Sequence, residues 1–260
     1  MTAARTLPAL ARYALALGDD ALVLAQRCSE WVTRAPQLEE DVALANIGLD
    51  LLGQARSLLT YAGEAEGAGR SEDDLAYLRE ERDFLNVQLV EQENGDFAVS
   101  MARLLVFSSY QLELYRRLTS SRDDTLTGVA AKAVKEVAYH RDHATEWVLR
   151  LGDGTPDSAE RMQAGVEAIW PYVDELFATS SRHGRWPDPE LMAHGVAVDP
   201  SSLREPAMTY VRSVLTEACL TEPSPRWTAQ GGRQGVHSSA MGHLLAELQH
   251  LHRSHPGASW

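Results

Sequence analysis

Three places in this chain bring acids, amides and imidazoles to the spacing of one helical face. Asn46, Asp50 and Gln54 stand four residues apart, so on a helix they form a row. Glu136, His140 and His143 follow one another at steps of four and three, and Glu247 with His250 makes the one Glu-x-x-His pair in the sequence. Such spacing is how a helical bundle assembles a dinuclear metal centre, in which two helices each supply a Glu-x-x-His pair and two others each supply a Glu. The donors here are too few for that. Around Asp50 the sequence is Asp50-Leu51-Leu52-Gly53-Gln54, and Val137 stands three residues before His140, where the carboxylate of a pair belongs. The segment Phe97 to Leu118 has no carboxylate between Asp96 and Glu113. Glu247 and His250 lie on the last helix without a second pair, as a surface pair would. We therefore expect His140 to be a buried imidazole bonded to polar neighbours, with Asn46 and Glu136 in the same network and Asp50 as a candidate partner.

Helices must position these groups, and the periodicity supplies them. Apolar residues recur at helical steps over 7–32, 38–61, 97–118, 125–151, 159–179, 203–220 and 238–252, which gives six or seven helices. No segment shows sustained period-two alternation, so no sheet is expected. The fold class is all-α, a bundle with four long helices at its core. In the second helix, Leu38, Val42, Ala45, Leu49, Leu52 and Leu59 form the stripe expected to be buried, with the Asn46 row along its edge. Pro36 closes the corner before it, and Glu39, Glu40 and Asp41 place negative charge in its first turn. Ser71 to Asp74 has the form of a cap for a shorter helix, and Asn94-Gly95-Asp96 the form of a turn and cap. Gly18-Asp19-Asp20 is a weak point in the first helix. Residues Arg79 to Asn86 mix dense charge with apolar side chains, as either a solvated end or a partner-facing edge does. Gly231-Gly232-Arg233-Gln234-Gly235 lacks the flanking strand and helix of a phosphate loop.

The 260 residues, 44% of them hydrophobic, suffice for a large core, which we expect to be a single domain. A net charge of −13 with only 24 Lys and Arg argues against nucleic acid and against an anionic membrane surface. No apolar run approaches the roughly 18 residues of a membrane span. Cys28 and Cys219 have no paired spacing, so free thiols and a cytoplasmic location are expected.

Several separated segments carry a resemblance. Trp31-Val32-Thr33-Arg34-Ala35-Pro36, Ala43 to Arg56, Val90-Glu91-Gln92, Lys135 to His140, Val196 to Pro200 and Gly231 to His237 resemble the C subunits of bacterial phenylacetyl-CoA epoxidases. The resemblance implies a ferritin-like bundle paired with a catalytic A subunit. That subunit belongs to a multicomponent monooxygenase which uses a di-iron centre, dioxygen and an NADPH-dependent reductase to epoxidise the ring of phenylacetyl-CoA. The A subunits are themselves relatives, and their metal-binding second helix has Asp-Glu-x-Gly-His where this chain has Asp50-Leu51-Leu52-Gly53-Gln54. By that comparison Leu51 replaces a carboxylate and Gln54 an imidazole, while the other metal-binding pair falls on Val137 and His140. One donor of four remains, and an amide oxygen is a weak substitute for imidazole. The resemblance thus implies a structural subunit with no metal or other cofactor of its own, the di-iron centre lying in the partner. It also suggests that Asp83, Phe84, Asn86 and Arg185 line a subunit border where phenylacetyl-CoA sits. The rival from another class is an iron-dependent oxygenase acting alone through Asp50, Glu136, His140 and His143.

Overall fold

The computed structural model describes residues 7–181 and 184–258. It is all-helical, as expected, with ten α-helices among the described residues. The long ones are α1 (Ala9–Ser29), α2 (Leu38–Glu66), α5 (Phe97–Leu118) and α6 (Asp124–Gly152). With them go α3 (Glu72–Tyr77), α4 (Gln88–Glu91), α7 (Pro156–Ile169), α8 (Pro189–Ala193), α9 (Arg204–Glu217) and α10 (Ser239–Ser254). The surplus over six or seven comes from α3, the shorter helix that the Ser71 cap announced, and from α4 and α8, each too short to show a period. Two two-residue strands, Ser180–Ser181 and Gly184–Arg185, interrupt the helical pattern without changing the class. Among the described residues no helix is long and apolar enough to cross a membrane. Cys28 and Cys219 are both free thiols.

The chain gathers into two compact units, one built on α1–α4 and α10, the other on α5–α9. In the first, α1 packs against α2. Glycine sets their approach. A Cβ at Gly18 would meet Leu58 and Leu59, and one at Gly48 would meet Ala25, Cys28 and Ser29, so the helices run antiparallel with backbones close. The corner between them is tied by the Ala35 N–H, which donates to Asp41 Oδ1 at 3.0 Å. A capping box between Ser71 and Asp74 starts α3, and α2 ends on Gly67 in the left-handed conformation.

The packing corrects the expected face of α2. Its large buried apolar residues are Leu44, Ile47, Leu51, Leu58 and Leu59, with Ala55 and Ala62 beside them, so Leu59 is buried as expected, whereas Leu38, Val42, Leu49 and Leu52 are exposed. Both sets recur at helical steps on opposite sides of the same helix, so periodicity finds two stripes and cannot rank them. Gly48 decides, because only the face that carries it can approach α1 this closely. α1 itself is buried on every side from Tyr13 to Ala25, Asp19 and Asp20 included.

In the second unit α5 packs against α6, α7 and α9. The helix expected over 97–118 carries Met101, Leu104, Leu105, Ser108, Leu112 and Tyr115, all buried. Asp96 caps α5 by accepting from the Ala98 N–H at 2.8 Å, and Phe97 meets Trp147 edge-on with ring centroids 5.0 Å apart. The fifth predicted helix stops early. Helix α7 ends at Ile169, and Pro171 gives way to 3-10 turns over Trp170–Tyr172 and Asp174–Phe177, because proline removes the donor that a continuing α-helix needs.

Candidate functional site

On α2, Leu51 and Gln54 are buried and Asp50 is half-buried, but Asn46 is exposed. Asn46 therefore does not belong to a buried polar network. A four-residue step advances a side chain about 40° around a helix, so a row that enters the core at Gln54 has left it by Asn46. On α6, Val137 and His140 are fully buried, while Glu136 is half-buried and pairs along the helix with Lys132 at 3.7 Å. Glu247 and His250 are exposed. Among the described residues no group of three or more His, Cys, Asp or Glu is placed to hold a metal ion. Leu51 and Val137 have no donor atom, and Gln54 offers a neutral amide. Two irons need several carboxylates, so these residues do not fit a di-iron group.

The densest buried chemistry lies elsewhere in the first unit, at the segment discounted as a weak point. Asp19 and Asp20 are neighbours on α1, and side chains one residue apart on a helix diverge by about 100°. Each finds its own arginine. Arg79 grips both carboxylate oxygens of Asp19, which also accepts the Leu85 N–H at 2.8 Å. Arg233 donates from Nη1 to Asp20 Oδ1 at 2.9 Å and from Nη2 to Oδ2 at 2.6 Å, and Val87 N–H completes Asp20 at 2.9 Å. The same Arg233 Nη1 reaches the Ala16 and Leu85 carbonyls. All four charged side chains are buried. Burial pushes Asp20 above the usual carboxylate range, against the opposing pull of Arg233.

A third pair adjoins them. Glu91 Oε2 lies 2.7 Å from His237 Nδ1 and accepts from Asn86 Nδ2 at 2.9 Å, while its Oε1 accepts the Ser238 N–H at 2.6 Å. The Arg27 guanidinium donates to the Glu91 carbonyl at 2.7 Å. His237 Nε2 sits 3.0 Å from the Phe84 carbonyl. With an oxygen facing each ring nitrogen, the imidazolium is the form that satisfies both. Residues 79–92 and 231–238 are thereby clasped onto α1.

Burial lowers the His237 pKa, but Glu91 and the Phe84 carbonyl outweigh it, and the net shift is upward from 6.5. A raised folded-state value means that the protonated ring stabilises the fold fully below about 6.5 and that this contribution fades as pH rises through the folded-state pKa. The melting temperature is therefore expected to fall as pH rises above about 6.5. His237→Gln, which cannot titrate, should flatten that part of the profile, and an equal slope in the variant would show that other groups set it.

The clasp corrects the border assignment. Phe84 lies wholly inside, under the Arg79 guanidinium at 4.0 Å. Asn86 is equally buried, its Oδ1 without a hydrogen-bond partner, and neither residue faces a cleft. Asp83 is half-buried and closes the 3-10 turn Glu81–Asp83, and its carboxylate accepts the Glu80 N–H at 3.3 Å. The side chain of Arg185 lies outside the described residues. Sequence reasoning missed Asp19, Asp20, Arg79, Glu91, Arg233 and His237 as one constellation. The available signal was a pair of acids inside an otherwise apolar helix, since buried carboxylates demand cationic partners.

The class these observations define is an all-helical protein with a buried ion-pair cluster on its first helix and, among the described residues, no metal-binding group. The model of the phenylacetic acid catabolic protein family matches residues 1–260, and the chain belongs to that family. Over 251 residues it is 45% identical to the C subunit of the 1,2-phenylacetyl-CoA epoxidase of Escherichia coli (strain K12), an alignment that covers 96% of this chain and 99% of that protein.

Proposed function

We propose that this chain is a structural, non-catalytic subunit of a phenylacetyl-CoA epoxidase, a cytoplasmic ferritin-like partner of the di-iron catalytic A subunit in aerobic phenylacetate breakdown. The observation that carries this reading is the side-chain chemistry at the inward positions, where Leu51, Gln54 and Val137 stand and only His140 keeps a strong donor. The 45% identity to a protein named as the C subunit of such an epoxidase supports it. In this role the chain binds no iron. It covers apolar helix surface on the catalytic partner and steadies the helices that carry the ligands there. The clasp serves that role by holding residues 79–92 and 231–238 rigidly on α1, since three buried ion pairs join segments distant in sequence. Any contribution to the acyl-CoA border comes from residues other than Phe84 and Asn86.

Co-expression with the catalytic partner, followed by iron counting on each separated component, tests the reading. The expected result is one particle holding both chains, with iron confined to the catalytic partner and this chain carrying less than about 0.1 iron. One or two irons on this chain alone would support the rival, an oxygenase in its own right. Full epoxidation by the catalytic partner without this chain would remove the structural role.

A further inference from the structure

A cleft of about 480 Å³ opens in the first unit between α10 and the 3-10 turn Glu81–Asp83, and none of the clasp's ion-paired residues lines it. Leu245 and Ala246 give it an apolar wall. Gln249, only 5% exposed, lines it too. The Gln249 Nε2 donates to the Ala76 carbonyl at 3.1 Å and to the Arg79 carbonyl at 3.0 Å. Two carbonyl acceptors fix which end of the amide is nitrogen, so Oε1 is the atom left for the cleft. Among the described residues nothing donates to that oxygen, and it is not sealed from solvent. A buried amide held by its donors with its acceptor open needs a donor from outside.

Charge decides what that donor carries. Arg253 gives Nη1 to Glu80 at 3.0 Å, and its Nε and Nη2 to the Tyr77 and Arg79 carbonyls at 2.9 and 2.8 Å. Glu80 and Arg253 therefore cancel. Glu81, whose Oε2 would lie 3.1 Å from a Cβ at Gly242, pairs with no cation among the described residues. The cleft thus holds one uncompensated carboxylate and one open amide oxygen beside an apolar wall. Among the described residues no three His, Cys, Asp or Glu gather to hold a metal ion, and an apolar wall offers a bare ion nothing. We propose that the cleft binds an organic monocation, an alkylguanidinium or alkylammonium group. Its N–H groups reach Glu81 and Gln249 Oε1 while its alkyl stem lies along Leu245 and Ala246. Such a group belongs either to a free small molecule or to a basic side chain of another protein. The site does not depend on the structural role proposed above.

Ligand-observed NMR titration of the full-length chain tests this. Butylguanidinium should bind with a Kd of about 1 mM, and butylurea, of the same shape without the charge, about tenfold more weakly. Glu81→Gln should weaken butylguanidinium about tenfold and leave butylurea unchanged. Ala246→Phe, at an exposed position on the cleft wall, should fill the space and weaken both about tenfold or more. Both variants should keep the wild-type melting temperature, since Glu81 and Ala246 are exposed. Acetyl-arginine methylamide, titrated alongside, separates the sources: binding tighter than that of butylguanidinium supports the site with a protein side chain as occupant, weaker binding supports it with a free small molecule. No saturable binding of butylguanidinium, equal affinity for butylguanidinium and butylurea, or an unchanged Kd in Glu81→Gln would overturn the proposal. So would tighter binding of Zn²⁺ or Mg²⁺ that Glu81→Gln abolishes, which would make the cleft a metal site.

Discussion

Arg233→Ala is expected to lose about 3–5 kcal/mol of folding stability, the usual cost of stranding a buried charge. Among the described residues Arg233 is the one side-chain cation bonded to Asp20, and the 3-10 turn that carries it (Gly232–Gln234) is fixed by its hydrogen bonds to Ala16 and Leu85 as well. Alanine leaves a carboxylate in the core of α1 with one backbone N–H for company. Asp20 then protonates more readily still, and its raised pKa climbs further. The sign follows from linkage. A carboxyl with a raised folded-state pKa favours the fold below its ordinary value of 3.8 and withdraws that support as pH rises through the raised value. The deficit of the variant in urea denaturation should therefore be smaller at pH 5 than at pH 8. Arg233→Lys keeps the charge but not the two-pronged geometry and should lose less. Adding Asp20→Asn to Arg233→Ala should recover part of the loss, since the stranded charge is then gone. Additive losses in the double variant would mean that the pair is not coupled as its geometry implies.

Gly235→Ala is expected to cost about 3 kcal/mol or more, the sum of a conformational and a steric share. Gly235 has φ +72, and a Cβ there would overlap the backbone carbonyl of Arg82. The left-handed conformation alone costs a side-chain-bearing residue about 1–2 kcal/mol, and the overlap adds to it because the obstructing atom is main chain. Gly67→Ala is the matched control. Its φ is +71 and nothing lies within 4 Å of the added carbon, so it should lose only the conformational share, about 1–2 kcal/mol. Equal shifts in the urea midpoint for the two variants would show that close approach to residue 82 does not hold the clasp together.

These two sites explain why the Gly231–Gly235 segment resisted interpretation from its residues. Its glycines serve close contact with other parts of the first unit, and contact between distant segments leaves no local period. A Cβ at Gly232 would strike the Asn86 carbonyl just as one at Gly235 would strike Arg82. The charged stretch from Arg79 to Asn86 was ambiguous for the same cause. Its exposed members, Glu80, Glu81 and Arg82, form one run between the buried Arg79 and the buried run from Phe84 to Asn86, a pattern that follows no helical or strand period.

Sequence alone determined the helical class, the long helices to within a few residues, and the caps at Ser71 and Asp96. Each of these depends on near neighbours or on side-chain identity, which the order of residues states directly. Tertiary structure decided which stripe of α2 is covered, that Asp19 and Asp20 are buried, and that Glu91 meets His237 across 146 positions. A helix with two apolar faces has no local preference between them. The choice falls to the face whose glycine lets another backbone come near, and a buried acid is tolerated only where folding delivers a cation from far along the chain.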